Sequence, residues 1–483
     1  MRNTLRQLQI EYGDFQTPFE LAKRVCEKLL EFGVVPETII EPTCGVGAFI
    51  EAAAFVFPFA EKIIGVEVNQ AYLDELENRK KQFDKNKRVQ VLQGDFFEFN
   101  WKNLIPDEGS LLIIGNFPWV TNSQQGTMGG ENLPTKVNFQ NRNGFDAMTG
   151  KSNFDISEWM LIQASNWFRN RHGYLAMLVK ISVARKFLNH LYTQKICVSR
   201  SAIYRIDAKR YFDVSVEACL LFCEFDAQSH NYDYDVYESL DSQKGQRVGH
   251  RNGITVRDLD IFERLSKYYG NSKTKWRSGI KHDCSNVMEL QKIGEGYVNG
   301  LGEVVEIEST YLYPLLKGSD VANNRIDKTN RYVLVTQQTV GEPTSGIKQL
   351  APRTWAYLER HAKHLDGRKS RIYQDNPRFS IFGVGAYTFA PYKIAICGLY
   401  KKLDFRLVRQ IDGKPTVFDD TVYFLSFNTE QEANKTFGIL SSSLAKDFYS
   451  ALIFWDEKRP IKSSILNSLN LQMFESTQVL RLF

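Results

Sequence analysis

Asn116, Phe117, Pro118 and Trp119 stand together directly after an apolar run ending in Gly115, and their types suit one reaction closely. An exocyclic amino group on a planar base is a poor nucleophile because its lone pair is delocalised into the ring. Two acceptors aimed at its N–H groups, the Asn116 side-chain oxygen and the Phe117 carbonyl, favour a tetrahedral nitrogen and free that lone pair. Pro118 stiffens the backbone so that the carbonyl stays pointed. Trp119 offers a face on which a base can stack, worth about 1–3 kcal/mol. The combination suits methylation of a planar amine, with no strong base needed, since the methylated nitrogen becomes acidic and loses its proton afterwards. The same residues also fit a proline turn beside a core tryptophan, so the surrounding elements decide between the two readings.

Those elements are strands ending in ligand-binding chemistry. Leu111-Leu112-Ile113-Ile114 reads as a buried strand, and Gly115 lets the chain turn at its carboxyl end, where open α/β sheets place ligands. Upstream, the stretch 38–50 reads as a strand, a glycine turn and a helix. Gly45 and Gly47 allow close approach to a ligand, and the helix start presents free N–H groups. Ile50 stands where a dinucleotide fingerprint has its third glycine, so the pattern is G-x-G, with Glu41 four residues before it. The next strand, 62–67, ends in Glu67, an acid placed to accept ribose hydroxyls. A third, beginning at Val89, ends in Asp95, suited to an adenine amino group, with Phe96 to pack on the ring. Each acid alone also fits an ordinary polar strand end; their order, with the G-x-G and Asn116, carries the inference. Before them all, Thr17 is expected to cap a helix with Pro18 at its first position and Glu20 three residues on, burying Leu21, Val25, Leu29 and Leu30.

The N-terminal half, roughly residues 11–225, resembles the amino-methyltransferases of bacterial restriction–modification systems, specifically the gamma class of DNA adenine-N6 methyltransferases. Gln16-Thr17-Pro18 is similar to that class's N-terminal cofactor motif, and 41–47 to its methionine-contacting glycine motif. The resemblance assigns Thr17, Glu41, Cys44, Gly45, Gly47, Glu67, Asp95 and Phe96 to the cofactor, S-adenosylmethionine. Asn116-Phe117-Pro118-Trp119 matches the catalytic Asn-Pro-Pro-Tyr/Phe/Trp pattern, with Phe117 in place of the first proline; that position contributes a carbonyl, which phenylalanine retains. The family also has an aromatic opposite the catalytic one, packing on the flipped base. Phe212 is the candidate, with Tyr211 second, and core packing fits equally well.

The implied fold is α/β: a Rossmann-like methyltransferase domain over 1–230, with a mainly parallel seven-stranded sheet, and a target-recognition domain of mixed α+β structure over 231–483, closed by a helical segment. Asp226–Arg257 is polar and reads as the linker. Residues 121–153, rich in Asn, Gly, Gln and Thr, read as a long loop of the functional kind. Gly150-Lys151-Ser152 imitates the end of a P-loop, but Phe145 stands where a glycine is needed, which excludes triphosphate binding there.

Charge divides the chain. Residues 1–240 carry 26 Lys+Arg against 30 Asp+Glu, whereas 241–483 carry 35 against 26. A basic half beside an acidic one suggests a polyanion partner, here double-stranded DNA. Within the basic half, Lys275, Trp276, Arg277 and Lys281 interleave cations with an aromatic, and Arg378 leads a second such cluster, so these residues are expected to touch DNA. The seven cysteines are scattered with no C-x-x-C, as befits free thiols in a reducing compartment, and no metal site is expected. With neither a signal-peptide stretch nor a long apolar run, the expected location is the cytoplasm, away from membranes. A separate restriction endonuclease or defence-system subunit is the expected protein partner, since no nuclease constellation is evident. Rival readings are a cytosine-N4 DNA methyltransferase, a protein glutamine methyltransferase using a similar loop, and a DNA-binding subunit without catalysis.

Overall fold

The computed structural model describes residues 15–119 and 155–479. The expected loop 121–153, with Gly150-Lys151-Ser152, lies outside the described residues, as do residues 11–14 of the family resemblance. The chain divides into two units, Met1–Val256 and Arg257–Phe483.

The first unit is built on one sheet. In chain order its strands are β1 (Thr38–Glu41), β2 (Lys62–Glu67), β3 (Val89–Gln93), β4 (Leu111–Asn116), β5 (Gly173–Lys180), β6 (Arg200–Ile206), β7 (Ala218–Phe225), β8 (Tyr234–Tyr237), β9 (Gln246–Arg251) and β10 (Ile254–Val256). In space the order is β10-β9-β8-β6-β7-β5-β4-β1-β2-β3. β1 to β5 pair in parallel, and β7 runs antiparallel between β5 and β6. From β1 the chain winds outward through β2 to β3, then returns to lay β4 on the other side of β1. The carboxyl ends of β1 and β4 therefore border the crevice where strand order reverses.

The strands read as continuous apolar runs because both their faces are covered: β1 is buried throughout, and β4 up to Gly115. Helices α1 (Phe19–Glu31), α2 (Ala48–Val56) and α3 (Gln70–Phe83) pack on the face presented by Ile39, Ile63, Leu112 and Ile114. Three further helices follow: α4 (Ile156–Ser165), α5 (Ile181–Gln194) and α6 (Ala208–Phe212).

Three expectations need correction. The sheet has ten strands instead of seven, because β8, β9 and β10 come from the polar stretch read as a linker. Tyr234, Val248 and Val256 turn inward among half-exposed neighbours, which is how a polar stretch still forms strands. The first unit accordingly runs to residue 256 and not to 230. At the N-terminus Pro18 is extended (φ −62°, ψ 140°) and itself occupies the cap position, with no side-chain cap bond, so Thr17 lies outside the helix. Leu21, Val25 and Leu29 are buried as expected, whereas Leu30 is exposed.

The second unit mixes strands and helices. Arg277–Ser278 (β11) belongs to a four-stranded sheet ordered β11-β20-β17-β18, with β17 Tyr392–Cys397, β18 Arg406–Val408 and β20 Val422–Phe427. A six-stranded sheet contains β15 (Leu312–Leu316), whose parallel partner β19 (Val417–Phe418) is separated from it by some hundred residues of chain. Its helices include Leu259–Leu265, Pro352–Arg360, Glu430–Ser441, Ser443–Ser450 and Leu471–Val479.

The turn after β1 depends on Gly47, which has φ +83° and faces Leu76 of α3 so closely that a Cβ would overlap it. Gly47→Ala should cost about 1–2 kcal/mol from the left-handed backbone alone, read as a lower urea midpoint than wild type.

Candidate active site

The crevice is lined first by the ends of β1 and β4. Asn116, the last residue of β4, is half-buried; its Nδ2 donates to the Phe15 carbonyl at 3.0 Å. Its Oδ1 is buried and has no partner among the described residues. The carboxamide thus has its donor end tied to the protein and its acceptor end left for an incoming N–H. Thr43 Oγ1 donates to the Asn116 carbonyl at 3.4 Å, linking the turn after β1 to the end of β4.

Phe117 is completely buried, its ring edge-on to Phe96 with centroids 5.6 Å apart, and Pro118 is half-buried. Trp119 is only 5% exposed. Its indole N–H donates to the Leu178 carbonyl of β5 at 3.4 Å. Its ring meets Phe15 at 5.7 Å and Phe212, the last residue of α6, at 5.1 Å; Phe15 and Phe212 are 6.4 Å apart. Phe212 is therefore beside Trp119. The two rings touch edge to face and leave no open slot between them.

The glycine turn makes the second wall. Gly45 has φ +50° and Gly47 caps α2 without a side-chain bond; in the first turn of that helix the Ile50 N–H is taken by Glu41. Gln16 Oε1 accepts from the Val46 N–H at 3.1 Å and lies against Gly45, where any Cβ would overlap its amide. Within the N-terminal motif it is thus Gln16 that closes onto the turn; Thr17 is half-buried next to it. Cys44 contributes backbone: its N–H donates to Val66 at 2.9 Å and its carbonyl accepts from Gly47 at 2.7 Å, while the thiol packs against Gly65.

Glu67 is half-buried at the end of β2. Its Oε2 accepts from the Gly45 N–H and its Oε1 from the Asn69 N–H, both at 2.9 Å. This grip joins the glycine turn to β2 and leaves further lone pairs on each oxygen. Glu41 is nearly inaccessible, with Oε2 lacking any partner. Burial, and secondarily the neighbouring Glu67 charge, hold its carboxyl well above the usual range, against the pull of the Ile50 N–H. Gly115 sits beside it: a Cβ there would lie 3.2 Å from Glu41 Cγ.

Asp95, just beyond β3, is exposed and accepts the Phe97 N–H at 2.7 Å. Phe96 does not face the crevice as expected. It is buried in an aromatic cluster with Phe117, Trp101, Trp159 and Trp167, because the turn after β3 directs it inward. Phe97 is the exposed ring of the pair.

In the second unit the expected DNA contacts divide. Trp276 is buried against Phe405, and its N–H donates to Asn467 Oδ1 at 2.8 Å, so it holds the core and offers no stacking face. Lys275 bonds Asn271 at 3.0 Å, Lys281 pairs with Asp283 at 3.4 Å, and Arg378 pairs with Asp366 at 2.8 Å. Arg277 is exposed, with its guanidinium over the Tyr387 ring at 5.2 Å. These residues all belong to the second unit.

Phe15, Lys180 and Asp155 carry no signal in the sequence for the contacts that they make here. Phe15 stands just before the Gln16-Thr17-Pro18 motif, within which the sequence points to Thr17 and the structure to Gln16. Lys180 donates to both Asp155 and the Trp119 carbonyl, contacts between segments far apart in the chain that leave no local pattern. Among the described residues no group of three or more His, Cys, Asp or Glu could hold a metal ion, and no helix is long and apolar enough to cross a membrane.

No family model matches the chain. Over 475 residues it is 58% identical to the Type II methyltransferase M.NspV of Nostoc sp., covering 98% of this chain and 99% of that protein. Among solved structures, it is similar to the Type IIL restriction-modification enzyme MmeI in complex with DNA, with a TM-score of 0.50 at 13% identity over 96% of this chain and 67% of that one. That likeness speaks to the fold alone. A type I restriction-modification methyltransferase subunit from Streptococcus thermophilus aligns over 52% of each chain with a TM-score of 0.34 at 12% identity.

The buried Glu41 gives stability a pH dependence. An acid whose folded pKa is raised contributes its full stability below the unfolded value, about 4.3, and loses it as pH rises toward the folded one. Glu41→Gln removes that loss. Its denaturation midpoint, measured on the ligand-free protein, should therefore gain on wild type as pH rises above about 4.3.

Proposed function

The chain belongs to the type II methyltransferases of restriction–modification systems, and from that premise we propose that it methylates adenine N6 in duplex DNA after swinging the base out of the helix. Its cofactor is S-adenosylmethionine, which supplies an electrophilic methyl on a sulfonium. The glycine turn and α2 start fit such a ligand: Glu41 and Glu67 put two carboxyls beside the turn, suited to a molecule that brings a sulfonium and an ammonium. The unpartnered Glu41 oxygen is the group within this crevice that gains most from a cation.

One observation carries the choice of reaction: Asn116 presents a buried, unpartnered Oδ1 at the carboxyl end of β4 while its Nδ2 is held by Phe15. An acceptor fixed in that way takes an N–H of the target amine. The Phe117 carbonyl takes the second, and the nitrogen lone pair is then free to attack; one N–C bond forms as the S–C bond breaks, and the proton leaves to solvent. The Phe15, Trp119 and Phe212 rings part to receive the base, and stacking offsets the few kcal/mol that extrusion costs. Lys275, Arg277, Lys281 and Arg378 of the basic unit then serve phosphates, which makes binding salt-sensitive. Cutting falls to a separate endonuclease or defence subunit.

Two measurements test this. DNA from cells expressing the protein should contain N6-methyladenine; N4-methylcytosine in its place would move the target to cytosine, since the same acceptors serve that amine. Asn116→Ala should keep S-adenosylmethionine binding while turnover drops by about 10²–10³-fold, the usual consequence of deleting a preorganised hydrogen-bonding group. Wild-type turnover in that variant would sink the assignment.

A further inference from the structure

We propose that Lys180 and Asp155 form a positioning pair that sets the Trp119 peptide, and with it the acceptors of the Asn116–Trp119 segment, for methyl transfer; this rests on the function proposed above. Lys180 ends β5. Its Nζ donates to the Trp119 carbonyl at 3.2 Å and to Asp155 Oδ2 at 2.6 Å. Asp155 is itself fixed: its Oδ1 caps α4, accepting from the Ser157 N–H at 3.2 Å and the Ser157 hydroxyl at 2.6 Å. The Asp155 side chain is only 6% exposed and that of Lys180 18%, so the pair is little screened by solvent.

The geometry is more than a local ion pair. Two residues earlier on β5, the Leu178 carbonyl accepts the Trp119 indole N–H. β5 thus grips Trp119 twice, by its side chain through Leu178 and by its backbone through Lys180. Since Phe117 and Trp119 are separated only by Pro118, whose φ is locked, fixing the Trp119 carbonyl restricts the direction of the Phe117 carbonyl. An ammonium reaches Trp119 and Asp155 with its charge balanced by Asp155, so neither carbonyl nor carboxylate is left buried and unpaired. Nothing in this arrangement touches the Gln16, Glu67 or glycine-turn contacts, so the pair acts on the target amine's acceptors and not on cofactor binding.

The test uses the full chain and a duplex carrying 2-aminopurine at the position that modified-base sequencing identifies. Lys180→Met should lower kcat by about 10²-fold, the order expected when reacting groups are misplaced by an ångström or so, and should abolish the fluorescence rise that accompanies base extrusion. Its S-adenosylmethionine Kd should stay within about twofold of wild type, by that same separation of amine and cofactor groups. Lys180→Arg, which retains the charge and two-acceptor reach, should recover most of the loss. Asp155→Asn keeps an oxygen to cap α4 while removing the charge, and should lower kcat with an unchanged melting temperature, which covers the case in which Lys180→Met fails to fold. Wild-type kcat and fluorescence in Lys180→Met, or in Asp155→Asn, would overturn the proposal. A loss of cofactor affinity in step with kcat would do so too, by reducing the pair to a structural role. Absence of DNA methylation by the wild-type protein would instead refute the function on which the proposal rests.

Discussion

Two side-chain oxygens without partners, Glu41 Oε2 and Asn116 Oδ1, sit buried at the carboxyl ends of neighbouring parallel strands. Each leaves a polar atom unsatisfied at a cost of about 1–3 kcal/mol, and the rest of the first unit is arranged to tolerate it. The reversal of strand order between β1 and β4 opens the crevice that they border. Gly115 admits the Glu41 side chain next to β4, Gly45 admits Gln16, and Gly47 admits Leu76. Polar groups beside them are engaged: Glu67 by two backbone N–H groups, Asn116 Nδ2 by Phe15, Lys180 by Trp119 and Asp155. Among the described residues the two bare acceptors thus stand together at the strand ends that border the crevice, next to groups whose own hydrogen bonds are made.

What could be read from the sequence follows from how local each signal is. Strands β1, β2 and β4 announce themselves as short apolar runs ending in an acid, a glycine or an amide, and the G-x-G turn between β1 and α2 needs only adjacent residues to be recognised. Signals that depend on direction were harder. Phe96 and Phe97 are neighbours, and only the backbone at the end of β3 decides that Phe96 turns into the aromatic cluster while Phe97 stays exposed. Pro18 suits both the cap and the first helical position, and its extended ψ moves the helix start one residue beyond expectation.

Burial misled in both senses. Trp276 stands among cations in the sequence, a composition that fits a nucleic-acid face, but its ring packs on Phe405 and the cations around it point elsewhere. Conversely, the polar stretch that became β8, β9 and β10 has too few apolar residues to declare itself. One inward residue per strand suffices there because the rest of each ladder is hydrogen bonding to an existing edge. The Lys180–Asp155 pair and the Phe15–Asn116 bond are invisible for a different reason, since each joins residues that only the folded sheet brings together.

The aromatic closure formed by Phe15, Trp119 and Phe212 has a thermodynamic corollary. A pocket already filled with its own rings exists in a receptive form for only part of the population, and every visitor's apparent affinity is scaled down by that fraction. The discount is the same for all comers, but the return is not. On the function proposed above, a nucleobase with a broad π surface and an amine for Asn116 recovers more than the ring contacts it displaces, whereas a sugar, a water cluster or a small cation recovers less; self-occupancy then acts as a selectivity filter before any bond is made or broken.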